Sequence, residues 1–329
     1  MCYTSGMDII ISHESALEYW RLYGVAKIDP SARLRRATPP ADLPAIKSVR
    51  GQLPSGLTFP VNLMVRNQNT KRKSETIKLH VYTDKMPDGC FVSVGGGVAV
   101  CSPSFLFLQM AGELPLVKLI ELGLELCGTY SLPVIDDYYG SGEEAVDRTL
   151  YKQPQLAGVK TLTSFVTRME GFHGRKKALR ALRYIADGSA SPMETILFML
   201  LTLPHKLGGY GLPAPELNRQ VDLMTTYKNR LKKAYYKCDF FWSKAGLAVE
   251  YDSDYYHTGA DRIASDSKRR FDLAAHGVTV ITVTTGQIRN DTAFESLAKL
   301  IAEKLRRRLR YENPQQFIKA KRELRKLLL

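Results

Sequence analysis

The sequence lacks the features of a membrane-spanning or a secreted protein. It has no run of about 18 apolar residues, so it predicts no transmembrane helix. It also does not open on a basic stretch followed by an apolar region, as a secretory signal does. The five cysteines are scattered, with no CxxC pair and no Cys/His cluster, so they predict neither a disulfide framework nor a zinc site. We therefore expect a protein of the reducing cytoplasm with no membrane partner.

Acidic residues are too few to balance the basic ones. The 329 residues include 47 Lys and Arg against 33 Asp and Glu, a formal net charge of +14. Residues 304–329 alone hold ten Lys or Arg and two acids. Two further basic groups are Arg175, Lys176, Lys177 and Arg180, and Lys232 and Lys233. Separated basic runs predict a polyanion partner, most simply DNA, with double-stranded DNA favoured. The alternative is a solvated surface with a soluble tail.

The chain is long enough for two domains, and its apolar fraction of 44% is that of a folded protein. In the second half, helical and strand patterns alternate, which predicts an α/β domain over residues 188–312. Residues 1–130 predict an α+β domain. Residues 131–187 predict a linker with basic helices, and residues 313–329 predict a basic C-terminal helix.

One segment concentrates residues that could carry chemistry: CDFFWSKAGLAVEYDSDYYH, residues 238–257. Two strand patterns flank a turn, and a two-residue loop in this turn would place Asp239 directly opposite Glu250. A bulge at Gly246 would shift that register by about one residue. Asp252 shares a strand face with Glu250, because strand side chains alternate.

Carboxylates that face one another on a sheet destabilise it unless a cation lies between them. Oxygen ligands favour Mg²⁺ or a similar hard ion such as Mn²⁺. We therefore predict that Asp239 and Glu250 bind such an ion. An exposed acidic sheet face is the alternative interpretation.

Other residues are candidates for supporting roles. His257 could transfer a proton near a metal, although a lone histidine is more often structural. Glu194 ends the motif Ser191–Glu194, which has the form of a capping box, or it is an acid that orients the metal site from a neighbouring helix. Arg269 or Arg270 could hold a phosphate, the alternative being an ion pair within their helix.

Taken in their order along the chain, these motifs resemble those of a known family. The pattern S-x-x-E, D-F-x-[WF], V-E-x-D-x-x-x-x-H and R-x-x-x-L-x-x-x-G-V-x-V covers about residues 188–290. It is similar to the very-short-patch-repair (Vsr)-like endonucleases of the PD-(D/E)XK superfamily. The resemblance implies a restriction-endonuclease-like core, a mixed sheet flanked by helices, and Mg²⁺-dependent hydrolysis of DNA phosphodiesters.

The resemblance also implies roles for individual residues. Asp239 and Glu250 match the metal-binding acids, His257 matches the histidine used for proton transfer, and Glu194 matches the acid of the first helix. Asp252 stands where most of the superfamily has lysine. Ser253 stands where Vsr-like relatives usually have glycine.

The N-terminal half looks like the C-terminal portion of AbiEi-type antitoxins. The residues that carry this likeness are IISHESALEYWR and KLHVYTDKMPDGCFVSVGGGVAVCSPSFLFLQMAGELPL. In that family this portion often precedes a Vsr-like domain in the same chain. The resemblance implies a scaffold or a surface for a protein partner, in a defence or toxin–antitoxin setting. A non-enzymatic, antitoxin-like regulator that binds nucleic acid or a toxin is the alternative function.

Overall fold

The structure is a computed structural model that describes residues 9–24, 39–43, 46–67, 75–83, 86–134, 149–227, 230–252 and 260–329. The chain divides into two compact units, Met1–Ile185 and Ala186–Leu329. Within the described ranges, no helix has both the length and the apolar character needed to cross a bilayer.

The N-terminal unit contains a five-stranded mixed sheet. Its strands are β1 (Ile9–Ile11), β2 (Val61–Val65), β3 (Ile77–Val81), β4 (Phe91–Gly95) and β5 (Val98–Cys101). They are hydrogen-bonded in the order β3-β2-β1-β5-β4. The central strand β1 runs parallel to β5 and antiparallel to β2, and its three isoleucines are fully buried.

Helices and a small hairpin complete this unit. They are α1 (His13–Tyr23), α2 (Ile46–Gln52), α3 (Pro103–Glu113), α4 (Leu116–Leu126), β6 (Tyr130–Ser131), β7 (Leu150–Tyr151), α5 (Val159–Arg168) and α6 (Arg175–Leu182). Ser102 caps α3 by accepting a hydrogen bond from the Phe105 amide, and Pro103 is the first residue of this helix. Arg21 of α1 forms two hydrogen bonds of 2.8 Å with Glu125 of α4, which ties these helices together.

The C-terminal unit contains a four-stranded mixed sheet flanked by helices. Its elements are α7 (Pro192–Thr202), β8 (Glu216–Tyr227), β9 (Arg230–Trp242), β10 (Leu247–Asp252), α8 (Ala260–Ala275), β11 (Thr279–Thr284), α9 (Thr285–Arg289), α10 (Asp291–Lys304) and α11 (Pro314–Leu328). The strand order is β11-β10-β9-β8. Only β10 and β11 are parallel among these strands, and α8 lies between them in sequence. The general prediction of mixed sheets flanked by helices is confirmed.

A glycine closes the turn between β9 and β10. A 3-10 turn over Ser243–Ala245 is followed by Gly246 in the left-handed conformation, with φ of 56°. A Cβ atom at Gly246 would lie 2.7 Å from the carbonyl oxygen of Gly277, which is closer than real contacts allow. Only glycine therefore satisfies both the backbone angle and the close approach.

The basic C-terminal segment is a docked helix. On α11, Leu324 is buried, and the ammonium group of Lys321 lies 3.0 Å from Asp291. Arg325 donates hydrogen bonds to two backbone carbonyl groups at the end of α9, those of Ile288 and Arg289. Part of the positive charge of residues 304–329 therefore stabilises the fold of this unit.

We expect Leu324→Ala to lower the free energy of unfolding by about 2–5 kcal/mol, because it opens a cavity under α11. The matched control is Ile318→Ala on the same helix, since Ile318 is 45% exposed and Leu324 only 1%. Exposed positions usually change stability by about 0.5 kcal/mol or less. Urea unfolding of the full chain measures both changes. Equal losses in the two variants would show that α11 is not docked through Leu324.

Candidate active site

The register of β9 and β10 brings the two predicted metal ligands together. The structure pairs Leu247 with Trp242, Ala248 with Phe241 and Val249 with Phe240. These pairs follow the register predicted for a two-residue loop. The next residues along the two strands are Asp239 and Glu250, and the charge of Asp239 acts on the carboxyl group of Glu250.

Asp239 is a half-buried carboxylate on β9. Its Oδ2 atom accepts a hydrogen bond of 2.8 Å from the backbone amide of Tyr251. Burial raises the pKa of Asp239, whereas this hydrogen bond and the positive charge of Arg269 lower it, and the net direction is upward. The protein therefore holds this carboxylate in a place where its charge is poorly solvated.

Glu250, on β10, has an arginine partner. The Nη2 atom of Arg269, on α8, lies 2.5 Å from Oε1 of Glu250 and also donates to the carbonyl oxygen of Lys237 at 2.6 Å. Burial raises the pKa of Glu250, the Arg269 charge lowers it, and the Asp239 charge raises it. The net shift is upward, so one arginine does not fully offset the burial of two acids.

Glu194 has the capping role considered from the sequence, and its role in orienting a metal site stays a prediction. It lies in the first turn of α7, where its amide donates to the side chain of Ser191 and its own carboxylate accepts from the Ala190 amide at 3.0 Å. The same carboxyl group is buried, and its pKa is raised first by burial and then by the charge of Asp239. Glu194 therefore caps the helix and also belongs to the electrostatic cluster.

Asn218 is a residue of this cluster that the sequence did not reveal. Its side-chain amide donates to Oε2 of Glu194 at 2.6 Å and to the carbonyl oxygen of Gly188 at 2.9 Å. It has a φ of 49°, which is rare outside glycine but tolerated best by asparagine and aspartate. Strands β8 and β9 pair on either side of Asn218 and Asp239, but these two residues are not paired with each other. The strand pairing is therefore interrupted next to Glu194.

The two remaining candidates near the strands are placed differently. Asp252 is the last residue of β10, half-buried, and is in register with Thr284 of β11. His257 lies outside the described residues. Its predicted role in proton transfer therefore stays a prediction.

The predicted phosphate-binding residues of the C-terminal unit differ from one another. Arg269 is bound to Glu250, whereas Arg270 is exposed, and its positive charge lowers the pKa of Glu250. Lys232 and Lys233 lie on β9, but their side chains are outside the described part of the chain. Among the described side chains of these phosphate-binding candidates, that of Arg270 is exposed to solvent.

In the N-terminal unit, the basic helix α6 uses part of its charge internally. Arg175 donates to the carbonyl oxygens of Val166 and Thr167 at the end of α5, and Lys177 donates to the carbonyl oxygen of Leu114. These contacts satisfy carbonyl groups at or just beyond helix ends that would otherwise lack partners. Lys176 and Arg180 are exposed and keep their charge at the surface.

The N-terminal unit holds a second group of polar residues that the sequence did not reveal. His13, His80 and Glu113 each place one potential ligand atom within 4.8 Å of the others. They come from α1, β3 and α3, which are far apart in sequence. No spacing rule for metal ligands would therefore have detected them.

Comparison with protein-family models, curated proteins and solved structures gave no match for this chain. The chemistry of the side chains is therefore the basis for a functional proposal. Three coupled carboxylates offer oxygen ligands alone, the donor set that suits a hard divalent cation.

We expect Asp239→Asn to be at least as stable as the wild type at neutral pH. A carboxyl group with a raised pKa holds its proton more tightly in the folded state than in the unfolded state. Its contribution to stability therefore falls as the pH rises from its ordinary value through its raised value. The asparagine amide oxygen can still accept the hydrogen bond from Tyr251.

The measurement is urea unfolding over a series of pH values without divalent ions. The wild type should lose more stability than Asp239→Asn as the pH rises. Glu303→Gln, which changes an exposed acid of the same unit, should follow the wild type. An Asp239→Asn variant whose stability tracks that of the wild type at every pH would contradict the raised pKa of Asp239.

Proposed function

We propose that the chain is a metal-dependent endonuclease that hydrolyses DNA phosphodiester bonds, and that residues 188–312 form a Vsr-like PD-(D/E)XK core. The observation that carries the proposal is the cluster of Glu194, Asp239 and Glu250. A helix and two adjacent strands supply these acids, and all three have raised pKa values. The charge of Asp239 acts on both Glu194 and Glu250, and carboxyl groups with perturbed pKa values that act on one another are typical of functional sites.

A divalent cation would offset the electrostatic cost of these carboxylates. Asp239 and Glu250 would hold Mg²⁺ or Mn²⁺, because both offer carboxylate oxygens on adjacent strands. When bound, such an ion polarises a phosphate and lowers the pKa of its water. Half-buried carboxylates with raised pKa values would gain stability from that cation.

Arg269 has a defined part in this proposal. Without a cation it neutralises Glu250, and once the carboxylate has another partner the guanidinium group can turn to a phosphate oxygen of the substrate. Glu194 would orient the site from α7, because Asn218 and Ser191 fix its carboxylate. His257 would take part in proton transfer, with Asp252 beside the site at the end of β10.

Double-stranded DNA is the proposed substrate. Arg270, Lys232 and Lys233 would contact its phosphates in the C-terminal unit, and exposed residues of α6 would add sequence-independent affinity. The N-terminal unit would serve a protein partner, in a defence or toxin–antitoxin setting. The cytoplasm is the proposed location, because DNA is the proposed substrate.

One observation favours a second function. Arg269 already pairs with Glu250, and three groups already donate hydrogen bonds to Glu194. A site satisfied in this way could persist without any ion, as the platform of a regulator that binds nucleic acid or a toxin. Cleavage of DNA separates the two functions, because a regulator would bind without cutting.

The decisive experiment incubates the full chain with supercoiled DNA, linear duplex, single-stranded DNA and RNA, each with Mg²⁺, Mn²⁺ or EDTA. We expect cutting of duplex DNA that needs a divalent ion. Asp239→Asn and Glu250→Gln should abolish cutting while the protein stays folded, and Glu303→Gln should cut as the wild type does. Cutting by Asp239→Asn at the wild-type rate would refute the proposed site. Binding of DNA with no cutting under any condition would favour the regulator.

His257→Ala should lower the cleavage rate by about 10²–10⁴-fold if this side chain transfers a proton. Mg²⁺ affinity, measured by calorimetry, should change little. A structural histidine would instead lower the melting temperature and leave the rate per folded molecule unchanged. The control is His276→Ala, with its melting temperature and its cleavage rate per folded molecule measured in the same way. His276 is an exposed histidine of the same unit.

A further inference from the structure

We propose that His13, His80 and Glu113 of the N-terminal unit bind a first-row transition-metal ion, with Zn²⁺ preferred. Two imidazoles and one carboxylate form a donor set that suits such ions and does not suit Mg²⁺. One potential ligand atom from each residue lies within 4.8 Å of the other two. This site is separate from the carboxylates of the C-terminal unit and does not depend on nuclease activity.

Burial is the largest cause that lowers the pKa of both His13 and His80, and the positive charge of Lys78 lowers both as well. The side chain of His13 is only 5% exposed. A neutral imidazole carries a lone pair on one nitrogen, and that nitrogen is the metal ligand.

Hydrogen bonds already orient both rings. Nε2 of His80 lies 2.8 Å from Oδ1 of Asn62, whose own side-chain amide donates to Ser15. The amide oxygen therefore accepts, and His80 donates from Nε2 and keeps its lone pair on the other nitrogen. His13 uses Nδ1 for a 3.0 Å contact with the hydroxyl group of Ser12. Metal-binding histidines are commonly fixed through their second nitrogen in this way.

The third residue of the group is the partly exposed carboxylate of Glu113. Among the described residues, its ion-pair contact is with Nε2 of His13 at 4.0 Å. A cation between the two would satisfy the carboxylate and both imidazoles at once. Tyr82, whose hydroxyl oxygen lies 3.4 Å from Nε2 of His13, adds a polar group beside the same nitrogen.

The backbone at His13 is consistent with a binding site, whereas the two stacked rings must rearrange before they bind an ion. His13 has a φ of 49°, a left-handed conformation that side chains other than glycine rarely adopt and that recurs at ligand sites. The two rings stack with centroids 3.6 Å apart and planes 15° apart. An ion needs both lone pairs to converge, so one ring must tilt. The broad torsion of the histidine ring permits this.

The test is calorimetric titration of the metal-free full chain with Zn²⁺ in the presence of saturating Mg²⁺, which occupies the proposed carboxylate site of the other unit. We expect one Zn²⁺ per chain and at least a tenfold loss of affinity in both His80→Gln and Glu113→Gln. His276→Gln, at an exposed histidine of the C-terminal unit, should bind Zn²⁺ as the wild type does.

Melting curves in EDTA show whether each variant is folded. The Glu113→Gln variant changes a partly exposed side chain at the end of a helix. Zn²⁺ should raise the melting temperature of the wild type and not that of a folded variant. Absence of Zn²⁺ binding by the wild type would overturn the proposal. A loss of Zn²⁺ affinity of less than tenfold in a folded variant would also overturn it.

Discussion

Much of the C-terminal unit depends on the loss of water around three carboxylates, of which Glu194 is buried and Asp239 and Glu250 are half-buried. Water is a better solvent for these charges than the protein interior, and one arginine offsets only part of the loss. The tight turn at Gly246 sets the register that brings Glu250 beside Asp239. Helix α8 supplies Arg269, and the first turn of α7 supplies Glu194, where the partial positive charge of a helix start favours an acid.

The charge of the chain is divided between stability and surface. Lys321 and Arg325 hold α11 in place, and Arg175 and Lys177 bind backbone carbonyl groups near helix ends in the other unit. A net charge of +14 therefore overstates the positive charge that a polyanion would meet. Exposed residues such as Arg270 and Arg180 remain at the surface, and salt dependence of binding would report on residues of that kind.

The parts of the fold that the sequence predicted depend on local rules. The start of α7 and the β9–β10 register follow from a cap, a turn and strand alternation within a few residues. Long-range contacts were not predictable in this way. The pairing of Arg269 with Glu250, and the approach of His80 to His13, join residues that no local pattern relates. The central strand β1 was missed because three residues give too little alternation to recognise.

Asn218 restricts what evolution can place at one position. Its backbone conformation favours glycine, asparagine or aspartate, and its side chain must also donate hydrogen bonds to Glu194 and Gly188. Glycine would fit the backbone but would leave Glu194 without that donor. Aspartate would fit the backbone but would add a fourth negative charge to a cluster already short of positive charge. Asparagine alone among these three meets both demands, so we expect little variation at this position in relatives that keep the acidic cluster.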